Sequence, residues 1–543
     1  MSLEQQINKA ISLEKKGEIL KAKDIYRSIL KVFPKNVRVQ KRLEALNILK
    51  QINNLHPPQE DIDKLIKLFN QKHFSSVIEQ SKALIREYPN AFVLWDLMGA
   101  TNQLIGKPDE ALKDFKQAIQ LNSNYENAYY NMGVVLLEDY GNPIEAIEAF
   151  KKSISLNPKN AKAYNNMGNC LRKLGRFEEA ITVLNKAILI EPKNAIFYRN
   201  AGNVLAKLGN LNEAIDTYNK ALLLKPDYPE TYYDLSFSYN LKGDLQKGLQ
   251  LYEWRLKKDG FPTRIPKDHL IWDGKNSILD KKFFVYEEQG LGDTIQFVRY
   301  LPLLKQKGAK VIFKVKSKMH ALLKTIDEDI VFVDRDPDDN SIDFETPLMS
   351  LPYLFKTNLK SIPFRESYLS ADHNKIISWK KNLPKDNFKV GICWQGSKNK
   401  IDFGRSFPLT LFEDISKLPN IELISLHKGE GEKQIENVNF DLTVLGNDFD
   451  NGEDAFIDTA AVMANCDLII TSDTAIAHLA GALGYRTWVL LKKTPDWRWL
   501  LDRNDSPWYP NMRLYRQKER DNWETVFETI KKDLKSLITL REN

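Results

Sequence analysis

The sequence predicts an all-helical repeat array followed by an α/β region with two parallel sheets. Small residues recur about every 34 positions in the first half of the chain, as at Gly133, Gly168 and Gly202. From Lys281 onward, short apolar runs alternate with helix-forming segments instead. Such alternation is typical of parallel strands covered by helices on both faces.

The composition is that of a globular chain. The 543 residues leave room for roughly three or four domains. The net charge of +7 is spread along the chain and does not indicate a nucleic-acid-binding surface. Cys170, Cys393 and Cys466 lack metal-ligand spacing and indicate a reducing compartment. No stretch approaches the roughly 18 apolar residues of a transmembrane helix. We therefore expect a cytoplasmic protein without a transmembrane segment.

The repeat unit is clearest in the stretch NAKAYNNMGNCLRKLGRFEEAITVLNKAILIEP. Gly168 and Ala180 are small where the two helices of this unit cross, and Pro192 ends the second helix. In period and residue pattern the unit resembles the tetratricopeptide repeat. We expect a divergent N-terminal repeat and connector over residues 1–56, followed by a tetratricopeptide repeat solenoid over 57–258.

Asparagines recur on the first helices of successive units. They are Asn131, Asn165, Asn166 and Asn200. Either they form a ladder that binds an extended peptide backbone, or they make helix-to-helix hydrogen bonds inside the solenoid. The array itself predicts a protein or peptide partner, and nothing in the sequence predicts nucleic acid.

A hinge over residues 259–279 separates the repeats from the α/β region. The 34-residue period is lost there, and Trp272-Asp273-Gly274 is a turn signal. The apolar side chains of Trp254, Phe261 and Trp272 indicate a packed joint rather than a free linker.

The α/β region divides into halves at 280–375 and 385–543. We predict strands at 283–286, 311–315, 330–333, 389–394, 421–426, 443–445, 468–470 and 488–491. We expect the last helix, at 523–540, to pack back over the first half. Sheets of this kind bind ligands at the carboxyl ends of their strands.

The stretch Cys466–Leu491 is predicted to form a strand, a turn, a helix and a second strand. Its turn would present free backbone N–H groups and the positive end of a helix, which suit a phosphate or diphosphate. The alternative is an ordinary turn of a doubly wound domain. The acidic run 334–339 is interpreted as a solvated loop, and we expect no metal site.

Four stretches, in this order, resemble the heptosyltransferase-like module of glycosyltransferase family 9. The resemblance is closest to bacterial proteins that join this module to tetratricopeptide repeats. The four stretches are EQGLGDTIQFVRYLPLLK, GICWQGSKNKIDFGRSFPL, DTAIAHLAGALG and PDWRWLLDRNDSPWYPNMRLYRQ. The resemblance implies a GT-B fold of two Rossmann-like halves, with the acceptor side at 280–375 and the nucleotide-sugar side at 385–543. It also implies inverting, metal-independent sugar transfer from a nucleotide-diphosphate donor, with no cofactor.

The resemblance also implies roles for single residues. Asp293 matches the family's proposed base for the acceptor hydroxyl, and helix N-capping is its alternative role. Gly290 and Gly292 would allow close substrate approach. The residues implied to bind the donor's phosphates and sugar are Gly290, Gly292, Ser397, Lys398, Arg405, Ser406, Asp473, Thr474, Ala475 and His478. His427 and Lys428 lie where the donor nucleoside could bind.

The aromatic stretch 495–510 is interpreted as a structural plug that holds the C-terminal helix, the alternatives being an acceptor-side or donor-side loop. The sequence as a whole predicts an inverting glycosyltransferase whose solenoid recruits a protein or peptide acceptor. Two alternatives remain open. The chain could be a non-catalytic repeat scaffold with a degenerate glycosyltransferase domain, or a transferase that acts on lipopolysaccharide or another glycan core.

Overall fold

The computed structural model describes residues 2–16, 18–53, 57–261, 264, 267, 270–338, 341–364, 366–397 and 404–542. The chain divides into two compact units, Met1–Asn200 and Ala201–Asn543. The second unit contains the end of the helical array together with the whole α/β region. The domain bounds derived from the sequence remain predictions.

The first unit is built from helices in which each helix packs against the next. They are α1 (Leu3–Lys15), α2 (Ile19–Val32), α3 (Val37–Asn53), α4 (Gln59–Asn70), α5 (Phe74–Glu87), α6 (Phe92–Leu104), α7 (Pro108–Leu121), α8 (Glu126–Glu138), α9 (Pro143–Leu156), α10 (Ala161–Lys173), α11 (Phe177–Ile190) and α12 (Ala195–Leu208), the last of which continues into the second unit.

Close helix packing explains the 34-residue period. A Cβ added at Gly133 would lie 2.7 Å from the ring of Phe150, and one at Gly168 would lie 2.6 Å from Leu184. Real Cβ atoms do not approach so closely, so a larger residue would push the two helices of a unit apart. Pro192 follows the last residue of α11 by two positions, where it cannot continue the helix.

The second unit begins with the remaining helices of the array, α13 (Leu211–Leu224), α14 (Pro229–Lys242) and α15 (Leu245–Tyr252). Their apolar side chains belong to the same hydrophobic cluster as the α/β region. Leu245, Leu249 and Tyr252 share this cluster with Trp272 and Phe283. The array therefore ends inside the core of the second unit.

The first sheet is parallel and, in the described residues, has four strands in the order β3-β2-β1-β4. The strands are β1 (Lys282–Tyr286), β2 (Lys310–Lys314), β3 (Val331–Val333) and β4 (Phe344–Pro347). The helices in this part of the chain are α16 (Leu291–Phe297), α17 (Leu301–Gln306), α18 (His320–Leu323), α19 (Leu351–Leu354) and α20 (His373–Asn382).

The second sheet is also parallel, and its five described strands follow the order β6-β5-β7-β8-β9. They are β5 (Phe388–Cys393), β6 (Ile421–Ser425), β7 (Leu468–Ser472), β8 (Thr487–Leu491) and β9 (Met512–Arg516). The helices are α21 (Glu413–Ser416), α22 (Ile457–Met463), α23 (Ala475–Ala482) and α24 (Glu524–Glu542).

Two expectations about these elements are wrong, and two strands were not predicted. The predicted strand 443–445 is reduced to one bridge between Thr443 and Ile424. Strands β4 and β9 were not predicted. The last helix does not pack over the first half: Phe527 and Ile530 of α24 lie in the hydrophobic cluster of the second sheet, where Phe527 contacts the ring of Phe412.

The prediction of parallel sheets alternating with helices is confirmed, because each described strand of both sheets runs parallel to its neighbours. In the described part of the chain, no helix is both long enough and apolar enough to cross a membrane.

Candidate functional site

The candidate site lies in the second unit, at the carboxyl ends of β5 and β7. These two strands are neighbours, and the strand order reverses between them because β6 lies on the far side of β5. In open parallel sheets, ligands bind in the crevice outside such a reversal. Gln395, Gly396 and Ser397 follow β5 here, and Asp473 and Thr474 follow β7.

Arg405 joins the two loops. Its guanidinium donates to the backbone oxygen of Asp473 at 3.2 Å and to that of Ser397 at 3.4 Å. A side chain at Gly396 would collide with this guanidinium. The amide of Gly396 in turn donates to the hydroxyl of Ser406 at 3.2 Å. The structure thus brings together four residues that the sequence analysis assigned to donor binding.

The loop between β7 and α23 ends in the first turn of a helix. Thr474 occupies the N-cap position in an extended conformation, and its side chain makes no capping hydrogen bond to α23. Its hydroxyl instead lies 3.2 Å from that of Thr471. Ala475 is the first residue of the helix, so its amide points out of the helix end, where an anion is stabilised. Lys398, also predicted to bind the donor, lies outside the described residues.

Two buried polar atoms near this point have no hydrogen-bond partner in the described chain. They are the hydroxyl oxygen of Ser472, at the end of β7, and Nε2 of Gln395, just after β5. The other amide atom of Gln395, Oε1, accepts from Gln434 at 3.0 Å. Unpaired buried polar atoms are costly, and their position at the ends of adjacent strands fits a site that completes its hydrogen bonds with a ligand.

Asp293 lies in the first turn of α16, just after the loop that follows β1. One carboxylate oxygen accepts the amide of Gly290 at 3.1 Å, and the other accepts from the guanidinium of Arg498. The side chain remains 23% exposed. Burial raises the pKa of this carboxyl, while the charge of Arg498 acts in the opposite direction. Helix capping, the alternative role of Asp293, is thus present, and its catalytic role remains a prediction.

The helices that carry Asp293 and the donor-side residues pack directly against each other. A Cβ at Gly292 would lie 3.0 Å from the ring of His478 and 3.4 Å from the Cα of Ala475. Gly292 therefore has a packing reason to be glycine, and its predicted contact with substrate remains a prediction. The close approach places Asp293 next to the start of α23.

His478 is buried and holds α23 against an aromatic layer. Its Nδ1 lies 3.0 Å from the hydroxyl of Tyr509, and its ring stacks on Trp499 at 5.4 Å. Burial, reinforced by the positive charge of Arg498, lowers the pKa of His478 to about 3. The ring is therefore neutral at physiological pH, and its chemistry is that of a neutral hydrogen-bonding group.

Acidic and basic groups alternate around the crevice. Burial and the charge of Asp496 raise the pKa of Asp473 to about 6, against the effects of Trp499 and Arg405. Burial, together with the charge of a neighbouring lysine, lowers the pKa of Lys492, which follows β8, to about 8. An ionised Asp473 is therefore destabilised in the protein as it stands, and it would be relieved by hydrogen-bond donors such as sugar hydroxyls.

The aromatic stretch 495–510 does not hold the C-terminal helix as predicted. Its indole rings pack on the first half of the α/β region, where Trp497 and Trp508 lie 6.3 and 5.6 Å from the ring of Phe297. Between these rings the buried Arg498 reaches Asp293. Arg498 was not predicted as a site residue, because its stretch was interpreted as a structural plug. The available signal was that two charged residues, Asp496 and Arg498, alternate with the tryptophans Trp497 and Trp499.

The last helices of the array also reach the loop that carries Asp293. Arg255, just beyond α15, forms a two-point ion pair with Glu288 at 2.7 and 2.9 Å, and both side chains are fully buried. The hydroxyl of Tyr252 accepts from Gln289. These contacts were not predicted, because they join segments that the sequence analysis assigned to different domains.

The predicted nucleoside residues are already engaged with the protein. His427 stacks on Trp394 at 4.2 Å, and its Nε2 donates to the backbone oxygen of Glu430 at 2.6 Å. Lys428 donates to the backbone oxygen of Phe449. Their role towards a nucleoside remains a prediction.

The asparagines of the array form hydrogen bonds between successive units. Asn200 donates to Asn165 at 2.8 Å, and Asn131 donates to Asp96 at 2.9 Å. Asn166 donates to the hydroxyl of Tyr130 at 3.4 Å. The helix-to-helix alternative is therefore observed, while binding of a peptide by these residues remains a prediction.

Among the residues described, no group of three or more His, Cys, Asp or Glu side chains is arranged to hold a metal ion.

Comparison with protein families identifies the array. Models described as TPR repeat match residues 105–139, 168–209 and 202–243, and models described as tetratricopeptide repeat match residues 126–160 and 149–182. Residues 105–243 therefore consist of tetratricopeptide repeats, as the period predicted. Repeats of this class form extended protein-interaction surfaces, which supports a protein or peptide partner.

The chain is also similar to individual proteins. It is 25% identical over 319 residues to Protein FlbA of Caulobacter vibrioides, a match that covers 53% of this chain and 52% of that protein. The chain thus spans about half the length of this curated relative.

Similar solved structures include MamA, with 26% identity and a TM-score of 0.28, covering 30% of this chain and 93% of that one. They also include YrrB, described as a TPR protein with an unusual peptide-binding site, with 21% identity and a TM-score of 0.29, covering 32% of this chain and 89% of that one.

Proposed function

We propose that the α/β region is a GT-B glycosyltransferase of the family 9 type, which moves a sugar from a nucleoside-diphosphate donor to a protein or peptide acceptor recruited by the tetratricopeptide repeats. One observation carries this proposal. The predicted base Asp293 lies on α16, the predicted donor-binding loop at Asp473 and Thr474 leads directly into α23, and these two helices pack against each other.

The donor would bind at the carboxyl ends of β5 and β7. The amides at the start of α23 and the guanidinium of Arg405 are donors suited to a diphosphate. Asp473 is unsuited to phosphate because its carboxylate would repel it. Its carboxylate would instead accept hydrogen bonds from the sugar hydroxyls, which would relieve the cost of its burial.

Transfer would proceed in one displacement. The acceptor oxygen forms a bond to the anomeric carbon while Asp293 takes the acceptor proton, and the nucleoside diphosphate leaves with the electron pair of the broken C–O bond. Positive charge and helix amides at the diphosphate stabilise the leaving group. Attack opposite to the leaving group inverts the configuration of the sugar.

The test is calorimetric titration of the full chain with UDP, GDP, ADP and their sugar conjugates. We expect one nucleotide to bind, and Arg405→Ala to weaken its binding by at least tenfold. Asp293→Asn should retain donor binding and lose sugar transfer, because Asp293 acts on the acceptor side. Arg503→Ala is the matched control, since Arg503 pairs with Asp505 on the surface of the same half.

Absence of binding to every nucleotide by the folded chain would reject the transferase in favour of the non-catalytic repeat scaffold. Binding with transfer to a lipid-linked glycan, but not to a protein, would favour the glycan-core alternative.

A further inference from the structure

Arg498 is a buried side chain that donates hydrogen bonds to three side chains at the candidate site. Its Nε donates to the side-chain oxygen of Gln296 at 2.6 Å, one terminal nitrogen donates to Asp496 at 2.7 Å, and the other donates to Asp293. The guanidinium lies 4.6 Å from the ring of Trp497. The side chain is 8% exposed.

These contacts link two distant parts of the sequence. Asp293 and Gln296 lie on α16, beside the first sheet, whereas Asp496 and Arg498 lie in the turn that follows β8 of the second sheet. A buried guanidinium is held in a fixed fork geometry, so its partners are oriented as well as neutralised. Arg498 therefore fixes the direction in which the carboxylate of Asp293 points.

We propose that Arg498 is the positioning residue of the transferase: it holds Asp293 ionised and aimed into the crevice, and it joins the acceptor half to the donor half. The inference rests on the proposed function. It assigns Arg498 no contact with substrate and no proton transfer of its own.

The surroundings of Asp293 show why a positive charge is needed there. Asp496 and Glu288 face it with negative charge, and burial also favours its protonated form. The phenol of Tyr252, on α15, lies close enough to interact electrostatically with Asp293.

Two further groups near Asp293 are uncharged at physiological pH. From α14, the phenol of Tyr233 also interacts with Asp293, and from α23 the neighbouring His478 is neutral at physiological pH. Removal of Arg498 would take away the positive charge that contacts Asp293 directly and would raise the pKa of Asp293.

The experiment compares the pH dependence of kcat/KM in the wild type and in Arg498→Gln. A base must be ionised, so activity falls as the pH drops through its pKa. Without Arg498 the acid limb of the pH profile should move up by about one pH unit. At pH values below the limb, the variant should therefore lose about tenfold more activity, relative to the wild type, than it loses on the plateau. Arg498→Lys keeps the charge and should keep the limb near its wild-type position, with lower kcat because the fork is lost.

Arg516→Gln is the matched control. Arg516 is a largely buried arginine that binds the backbone oxygens of Leu500 at 2.7 Å and Trp499 at 3.3 Å, in the same segment as Arg498, without touching Asp293. Its loss should lower stability without moving the limb. An unmoved limb in Arg498→Gln, or an equal movement in Arg516→Gln, would overturn the positioning role.

A second measurement separates failure of this inference from failure of the proposed function. Urea unfolding of Arg498→Gln, Asp293→Asn and the double variant gives their coupling without any turnover. Coupling between the two residues with no transfer to any acceptor would reject the transferase alone. Transfer by the wild type with no coupling would reject the positioning role alone.

Discussion

At the scale of single residues, Asp473 shows a conflict between stability and binding. Its partly buried carboxylate follows β7 with its pKa raised to about 6, so the native protein binds this proton more tightly than the unfolded chain does. The ordinary pKa of an aspartate is about 4. The stability that protonation of Asp473 contributes is therefore fully present below about pH 4 and is lost as the pH rises through about 6. Residues that reduce stability in this way are common where a site must bind a ligand.

We therefore expect Asp473→Asn to stabilise the free protein at pH 8, by up to about 3 kcal/mol, and to have little effect below pH 4. The same variant should bind the nucleotide sugar more weakly, because an amide accepts hydrogen bonds from sugar hydroxyls less strongly than a carboxylate does. Urea unfolding at both pH values, with donor titration at pH 8, measures the two effects.

Asp273→Asn serves as the control, because we expect it to change the stability at pH 8 in the opposite direction. The carboxylate of Asp273 accepts the amides of Asn276 and Lys275 at 2.8 Å each, and these bonds lower its pKa. Its replacement should reduce stability at pH 8. A loss of stability in Asp473→Asn at pH 8 would contradict our inference that the ionised carboxylate of Asp473 destabilises the free protein.

The sequence could place some of these residues but not their partners. Asp293 and Asp473 were singled out because each lies in a stretch that resembles family 9 and each follows an apolar strand near the start of a helix, and both of these signals are local. The contact between Asp293 and Arg498 joins residues 205 positions apart. Such a pair depends on how two sheets pack together, and neither residue's neighbours in the sequence carry that information.

At the scale of elements, the helix after the last repeat is connected to the site by a buried ion pair. Arg255 and Glu288 are fully buried, and Ser350 accepts a further hydrogen bond from Arg255 at 2.8 Å. Glu288 lies in the loop between β1 and α16, five residues before Asp293. Orientation of this loop therefore depends on a residue outside the α/β region.

We expect Arg255→Met to destabilise the second unit by about 3–5 kcal/mol, because it leaves the carboxylate of Glu288 buried and unpaired. The double variant Arg255→Met with Glu288→Gln should recover part of this loss, since the uncompensated charge is removed. Urea unfolding of both variants measures the difference.

The exposed pair between Arg176 and Glu179 is the control, and its removal should cause no measurable change. If Arg255→Met behaved like this surface pair, Arg255 could not be holding the loop of Asp293.

Elements with a strong periodic signal were predicted better than short or polar ones. The repeat helices and β7 were identified because their apolar spacing extends over the whole element. By contrast β4 was missed: it is the four-residue run FETP and includes the buried Glu345, whose carboxylate pairs with Arg264. A charged residue inside a strand contradicts the local pattern, and only its partner explains it.

At the scale of the whole molecule, the sequence and the packing divide the chain at different places. The loss of the repeat period predicted a hinge at 259–279, whereas the compact second unit begins at Ala201. The period reports the local helix pattern, but compactness depends on which side chains share a core. Leu241, Leu245 and Leu249 follow the repeat pattern and yet pack with the α/β region.

We therefore expect a chain of residues 259–543 to be much less stable than one of residues 195–543, which keeps α12 to α15 whole. The shorter chain loses the side chains of Leu241, Leu245, Leu249 and Tyr252 from its core, and burial of each such side chain contributes about 1.5–3 kcal/mol. It also loses Arg255 and leaves Glu288 unpaired. Thermal unfolding and limited proteolysis of the two chains measure the difference.

Nucleotide binding completes this comparison, because the proposed donor site lies at β5 and β7 in both chains. The longer chain should unfold in one cooperative transition and bind the donor as the full chain does, while transfer to a protein acceptor should fall because residues 105–194 of the repeats are absent. The shorter chain should be cleaved rapidly and bind the donor weakly. Equal stability of the two chains would show that the α/β region folds without the last repeats, and that the boundary predicted at 259–279 is the correct one.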